Sequence, residues 1–125
     1  MIINSNFFNV IADKQTQPFA WGVNDCCLFV ADIYGELYGI DFAEGIRGTY
    51  DNEYDGMRTI VELGGYDTIL TDRDFYRLDN INFVSRGDVV IAENTLGIWV
   101  GDKGLFAGNV TRKLSDITDA YRYKE

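Results

Sequence analysis

Pro18-Phe19-Ala20-Trp21-Gly22-Val23-Asn24-Asp25-Cys26-Cys27-Leu28-Phe29 decides how the rest of the chain is read. Proline disfavours helical backbone in the residue before it, so Gln17-Pro18 closes whatever helix precedes. Asp25 is of the residue type that caps a helix N-terminus with its side chain. Behind it Cys27, Val30, Ala31, Tyr34, Leu37 and Tyr38 recur at helical spacing on one face, and Gly39 stops the run. Cys26 then falls in the first turn, angled away from that face, where the positive end of the helix dipole favours a thiolate. That position suits a nucleophile. Yet the chain contains no histidine, so the usual general base and the usual acid for a leaving group are both missing. Cys26 therefore has two readings: a nucleophile, or a small thiol packed under a sheet, as free cysteines commonly are. Cys27, on the apolar face, reads as core.

Working outward, a first helix is predicted from Ser5 as cap to about Lys14, with Phe7, Phe8 and Ile11 on its apolar side. A third is predicted from about Asn52 to Leu63, with Tyr54, Met57, Ile60 and Val61 inward and Gly64-Gly65 as terminator. A short helical turn is expected near Asp72 to Arg77. The pattern then changes to short β-rich runs, 87–92, 96–100 and 104–107, with Asp102-Lys103-Gly104 as a tight hairpin turn. Helices first and an antiparallel sheet afterwards is an α+β layout in which the Cys26 helix packs on the sheet. No repeat, low-complexity tract or linker divides the chain, so residues 1–125 are expected to form a single domain.

With 46% apolar residues in 125, the chain has enough material for one core without disulfides or metal. No apolar run approaches the roughly 20 residues that span a bilayer, and Met1-Ile2-Ile3-Asn4-Ser5-Asn6 lacks the basic flank of a signal peptide. A soluble protein made in the cytoplasm is expected. The net charge of −9 argues against a surface that follows nucleic-acid phosphates or anionic lipid. The acids are scattered, without the phosphate-like spacing that DNA mimicry needs, and read as a solubilising surface. Two adjacent cysteines do not form an unstrained disulfide and, without histidine, make no ordinary zinc site. Thr71-Asp72-Arg73-Asp74 lacks the spacing and glycine of a calcium loop. No metal or cofactor is expected.

Asp25-Cys26 before a helix, then Arg86-Gly87-Asp88-Val89-Val90, then Leu96-Gly97-Ile98-Trp99-Val100-Gly101, resembles the NlpC-like branch of papain-fold cysteine peptidases. There the motifs read D-C-S-G, P-G-D-L-V and G-H-V-G-I-Y-V-G. The chain is more similar still to a family encoded in phage tail gene clusters and marked by a W-G-x-x-D-C signature. Trp21-Gly22 with Asp25-Cys26, Arg47-Gly48-Thr49-Tyr50, Gly87-Asp88-Val89-Val90, Gly97-Ile98-Trp99-Val100-Gly101 and Ala120-Tyr121-Arg122 carry that resemblance in order. It implies a papain-like domain, with Cys26 at the nucleophile position and Asp25 capping its helix. The peptidase histidine falls on Thr95, and the third polar position falls in 105–109, where Asn109 is the one orienting amide. The phage family often has histidine just before Asp-Cys; here Asn24 stands there. Trp21 and Trp99 either line the groove or pack in the core, and Arg47 either binds or forms a salt bridge.

Two functions compete on these residues. In the first, the chain is a structural or assembly component of a phage tail, at an adaptor, hub or tail tip, and its catalytically silent peptidase-like fold serves as a docking module. Its partners are then other tail or virion proteins, without nucleic acid and without a membrane span. In the second, it is a cell-wall peptidase or amidase contacting peptidoglycan, with Cys26 as nucleophile and backbone amides near Cys26 and Cys27 holding the oxyanion. That enzyme takes its base from another subunit or from a lysine or carboxylate; Lys103 and Lys113 lie in the right half of the chain. An aspartate of ordinary acidity is a poor base toward a thiol, so Asp25 or Asp88 would serve only where burial raises it, and Asp25 is better explained as the helix cap.

Overall fold

The computed structural model describes residues 5–125, and the side chains from Asn6 onward. Four helices and six strands follow in chain order: α1 (Ser5–Gln15), α2 (Cys26–Tyr38), α3 (Glu53–Glu62), α4 (Gly65–Thr71), β1 (Phe75–Arg77), β2 (Val89–Ala92), β3 (Thr95–Trp99), β4 (Gly104–Phe106), β5 (Val110–Arg112) and β6 (Asp119–Tyr123). This is an α+β architecture. The strands form one antiparallel sheet in the order β1-β6-β2-β3-β4-β5. Among the described residues no helix is long and apolar enough to cross a membrane.

α2 is the central helix because its sequence is apolar almost all round; every residue from Cys26 to Tyr34 except Asp32 is buried. It lies on the sheet face made by Val89, Ile91, Leu96 and Ile98. The alternate residues Val90, Ala92 and Trp99 point to the opposite face, as strand geometry requires, and build a second, smaller core with Phe106, Ile117 and Ala120. α1 packs against α2 through Phe7, Val10 and Ile11, and the same stripe continues to Lys14, whose ammonium lies 2.8 Å from Asp32. Phe8, expected on that stripe, sits outside it and is 46% exposed, with the Arg86 guanidinium over its ring. The Ser5 cap expected at the start of α1 lies outside the described side chains.

Two expectations change in the middle of the chain, and one helix is added. α3 turns Gly56 and Ile60 inward and leaves Tyr54, Met57 and Val61 outside. The cause is Gly56: a Cβ there would stand 3.0 Å from the Tyr50 ring and 3.3 Å from Trp21, so the bare backbone is what fits beneath those rings. Gly64-Gly65 ends α3 as expected, both glycines taking positive φ, 98° and 85°, but a further helix that local pattern did not reveal, α4, begins at once. The segment expected as a helical turn at 72–77 contributes β1 instead. α4 ends at Thr71, the chain turns through Asp74 at φ 68°, and Phe75 then joins Tyr34, Phe42 and Tyr123 at ring separations of 5.2, 5.7 and 5.3 Å. Its strand partner, β6, is far away in sequence, which is why local pattern did not reveal it.

Candidate functional site

The loop before α2 is built around Asp25. Its carboxylate is fully buried and accepts from the backbone N–H of Leu28 at 3.1 Å, from Gly22 N–H at 3.0 Å and from the Tyr50 hydroxyl at 2.7 Å. The first bond is the expected N-cap. The other two tie Trp21-Gly22 and Tyr50 to the same carboxylate, so residues that are distant in the sequence motifs form one structural unit. Gly22, at φ 80°, has the Tyr50 carbonyl oxygen 2.4 Å from where a Cβ would be, and no other residue fits. Asn24 is buried beside it and donates to the carbonyls of Gln17 and Pro18, closing the loop from within.

Cys26 follows in the first turn of α2. It is buried rather than angled into solvent, because α2 enters under β3 and both cysteines meet the core. Cys26 nevertheless lines a pocket of about 230 Å³ together with Phe19, Thr95, Phe106, Ala107, Val110 and Arg112. Cys26 and Thr95 thus share one pocket. Thr95, however, spends its hydroxyl on the Ala92 carbonyl at 2.6 Å, across the Glu93-Asn94 hairpin turn.

The polar group beside the thiol is one that sequence reasoning missed. Tyr66, on α4, places its hydroxyl 3.0 Å from the Cys26 sulfur. Burial, then the neighbouring thiol, push the Tyr66 hydroxyl far above the ordinary phenol range, so it is a neutral O–H and no base. Burial likewise raises the Cys26 thiol. The Tyr66 hydroxyl and the Leu96 backbone pull it down by less, and Asp25 adds to the rise. The helix N-terminus is outweighed by desolvation, and Cys26 is a thiol at neutral pH. Of the pocket side chains, Phe19, Phe106, Ala107 and Val110 are apolar, Arg112 is a donor only, and the Thr95 hydroxyl is engaged. None is suited to take a proton from sulfur.

Other expected site residues lie elsewhere. Asn109 is exposed at φ 61° in the tight β4–β5 turn, where asparagine is favoured for its tolerance of left-handed backbone; it orients nothing in the pocket. Trp99 is buried in the second core, on the sheet face away from α2, so it lines no groove with Cys26. Trp21 is half-buried, edge-on to Phe19 at 5.1 Å, and contributes to the pocket only through that neighbour. Arg47 forks between Asp32 at 2.6 Å and Asp41 at 2.7 Å, in a polar recess that also holds Lys14. Its salt-bridge reading is the one the geometry favours. Lys103 lines a recess beside α1, and Lys113 leads into the 3-10 turn 114–116; neither reaches the Cys26 pocket. Arg112 does, and nothing in its local sequence marked it.

This geometry sets the reactivity of the thiol. In the folded protein at neutral pH, Cys26 is expected to react with iodoacetamide at least about tenfold more slowly than a free cysteine, with the rate climbing only in alkali. Tyr66→Phe removes a bond that favours the thiolate and is expected to leave labelling as slow or slower. Labelling of the folded chain at or above the free-thiol rate would contradict this electrostatic account.

Among the described residues no group of histidine, cysteine, aspartate or glutamate side chains is arranged to hold a metal ion. No curated protein matches the sequence. The segments that build this site, from the Asp25 loop through Tyr66 and Thr95 to the strand that pairs with β1, all fall within residues 3–123. That span matches the family described as Domain of unknown function (DUF6950), and the chain belongs to that family.

Proposed function

We propose that this protein is a structural or assembly component of a bacteriophage tail, a docking module that retains a papain-like, NlpC-like fold without its chemistry. The fold reading is supported by a cysteine in the first turn of a helix packed on an antiparallel sheet, with the first residue of β3 in the same pocket. The phage setting rests on the motif resemblance. One observation carries the loss of chemistry: the neighbour of the Cys26 sulfur is a neutral tyrosine hydroxyl, and the residue at the histidine position is a threonine already bonded to Ala92. A thiol that is raised by burial and has no base within reach among the described residues does not supply a thiolate for acyl transfer.

The test compares wild type and Cys26→Ala in purified phage particles and on purified peptidoglycan. Both chains are expected in particles at equal occupancy, and neither is expected to release peptide or sugar fragments, alone or with intact particles. Cys26-dependent release in the presence of particles would replace this reading with that of a peptidase whose base arrives from a neighbouring subunit. Particles without the chain would remove the tail assignment itself.

A further inference from the structure

α3 carries an apolar stripe that the fold does not use. Tyr54 and Val61 are 73% and 71% exposed and Met57 is 39% exposed, at helix spacings that put them on one side. They flank a shallow groove completed by Glu53 and Arg58. The inward side of the helix is occupied by Gly56 and Ile60, so the outer stripe does not reach the core by any small rotation. Contiguous exposed apolar side chains framed by charge mark contact surfaces.

The charges identify the partner. From Asp51 to Glu62 the segment holds Asp51, Glu53, Asp55 and Glu62 against Arg58 alone. That guanidinium is already shared between the Tyr54 ring at 5.7 Å, Asp55 at 3.5 Å and Glu62 at 3.7 Å. Glu53 has no ion pair among the described residues, and it stands at the groove. A second copy of the chain would bring the same surplus of acid, on a molecule of net charge −9. Three side chains on one short helix also fall well short of the roughly 800 Å² per partner that a stable dimer buries. A single amphipathic helix fits both limits: it needs a narrow apolar stripe, and basic residues beside that stripe would meet the carboxylates.

We infer that the outer face of α3, Tyr54, Met57 and Val61 with Glu53 at its edge, is the docking surface for a partner's amphipathic helix whose apolar stripe is flanked by lysine or arginine. This inference rests on the docking reading above and names its face and the chemistry of its partner.

Two synthetic helical peptides of about eighteen residues, long enough to hold helix, share one leucine stripe and differ in flanking lysine or glutamate. They are titrated into the full chain while backbone amide shifts are followed by NMR. The lysine peptide is expected to bind with shifts centred on α3, at least about tenfold more tightly than the glutamate peptide, and more weakly as salt is added. Tyr54→Ser with Val61→Ser, both on the surface, is expected to weaken the lysine peptide by about tenfold or more while the fold is unchanged. Failure of the lysine peptide to bind, equal binding of both peptides, shifts away from α3, or self-association through this face in sedimentation would each overturn the inference. None of those results bears on whether the chain is in particles, and absence from particles leaves the peptide result standing.

Discussion

Asp25→Ala is expected to lower the unfolding free energy by about 3–5 kcal/mol, among the largest single-residue effects in this protein. The carboxylate is fully buried and receives Leu28 N–H, Gly22 N–H and the Tyr50 hydroxyl. Alanine removes the cap of α2, worth about 0.5–2 kcal/mol, and strands two further donors at about 1–3 kcal/mol each. Tyr50→Phe removes one of those donors together with its need for an acceptor, so it should cost about 1 kcal/mol. In a double-mutant cycle the two changes are then expected to be less than additive. Urea unfolding reads the effect as a drop in midpoint at constant slope. Because Cys26 is the next residue, loosening the first turn of α2 should also raise its labelling rate in the folded state. A loss under about 1 kcal/mol with unchanged labelling would mean that the loop is held by its aromatic packing and not by the carboxylate.

How much of this was legible in the sequence depends on whether the signal was local. The Asp25 cap, the apolar run of α2 and its Gly39 stop are read from neighbours in the chain, and all appear as expected. So does the β2–β3–β4 meander, whose short runs of β-branched, aromatic and other apolar residues are separated by turn residues. The misreadings involve partners from afar. α3 had a good helical period, but which side was buried depended on Tyr50 and Trp21 seeking the gap at Gly56. β1 is a strand because β6 is beside it. Tyr66 joins the Cys26 site only through the placement of α4, a seven-residue helix too short to show a period after the Gly64-Gly65 stop of α3. For Trp99 the core reading is the one that holds, and strand alternation sets it opposite Leu96 and Ile98, which face α2. Asn109 likewise carried its own signal, since Gly-Asn between two short runs is turn chemistry before it is an orienting amide.

The second large effect is expected at Arg122. Its Nε lies 3.0 Å from one Asp88 oxygen and its terminal nitrogen 2.8 Å from the other, with further bonds to the Phe83 carbonyl and the Ser85 hydroxyl at 3.1 Å. Asp88 is fully buried and also accepts from Ser85 N–H. The preceding residue, Gly87, receives the Tyr34 hydroxyl from α2, so this carboxylate sits where α2, β2 and β6 meet. Arg122→Ala leaves a buried charge without its counterpart and should cost about 3–5 kcal/mol. Arg122→Lys replaces a planar fork by a point charge and should restore less than half of that. Asp88→Asn combined with Arg122→Met removes the stranded charge and should be milder than Arg122→Ala alone. Hydrogen bonding to Asp88 pushes the guanidinium ionisation upward despite some burial. With the folded value above the unfolded one, the arginine's contribution is complete below the unfolded value and is lost only as pH rises through strong alkali. From neutral pH upward across the working range, the Arg122→Ala cost should therefore stay flat. A cost below about 1.5 kcal/mol, or full rescue by lysine, would show that the closing Ala120-Tyr121-Arg122 stretch holds the sheet through Tyr121 and its bond to Asp67 rather than through the buried ion pair.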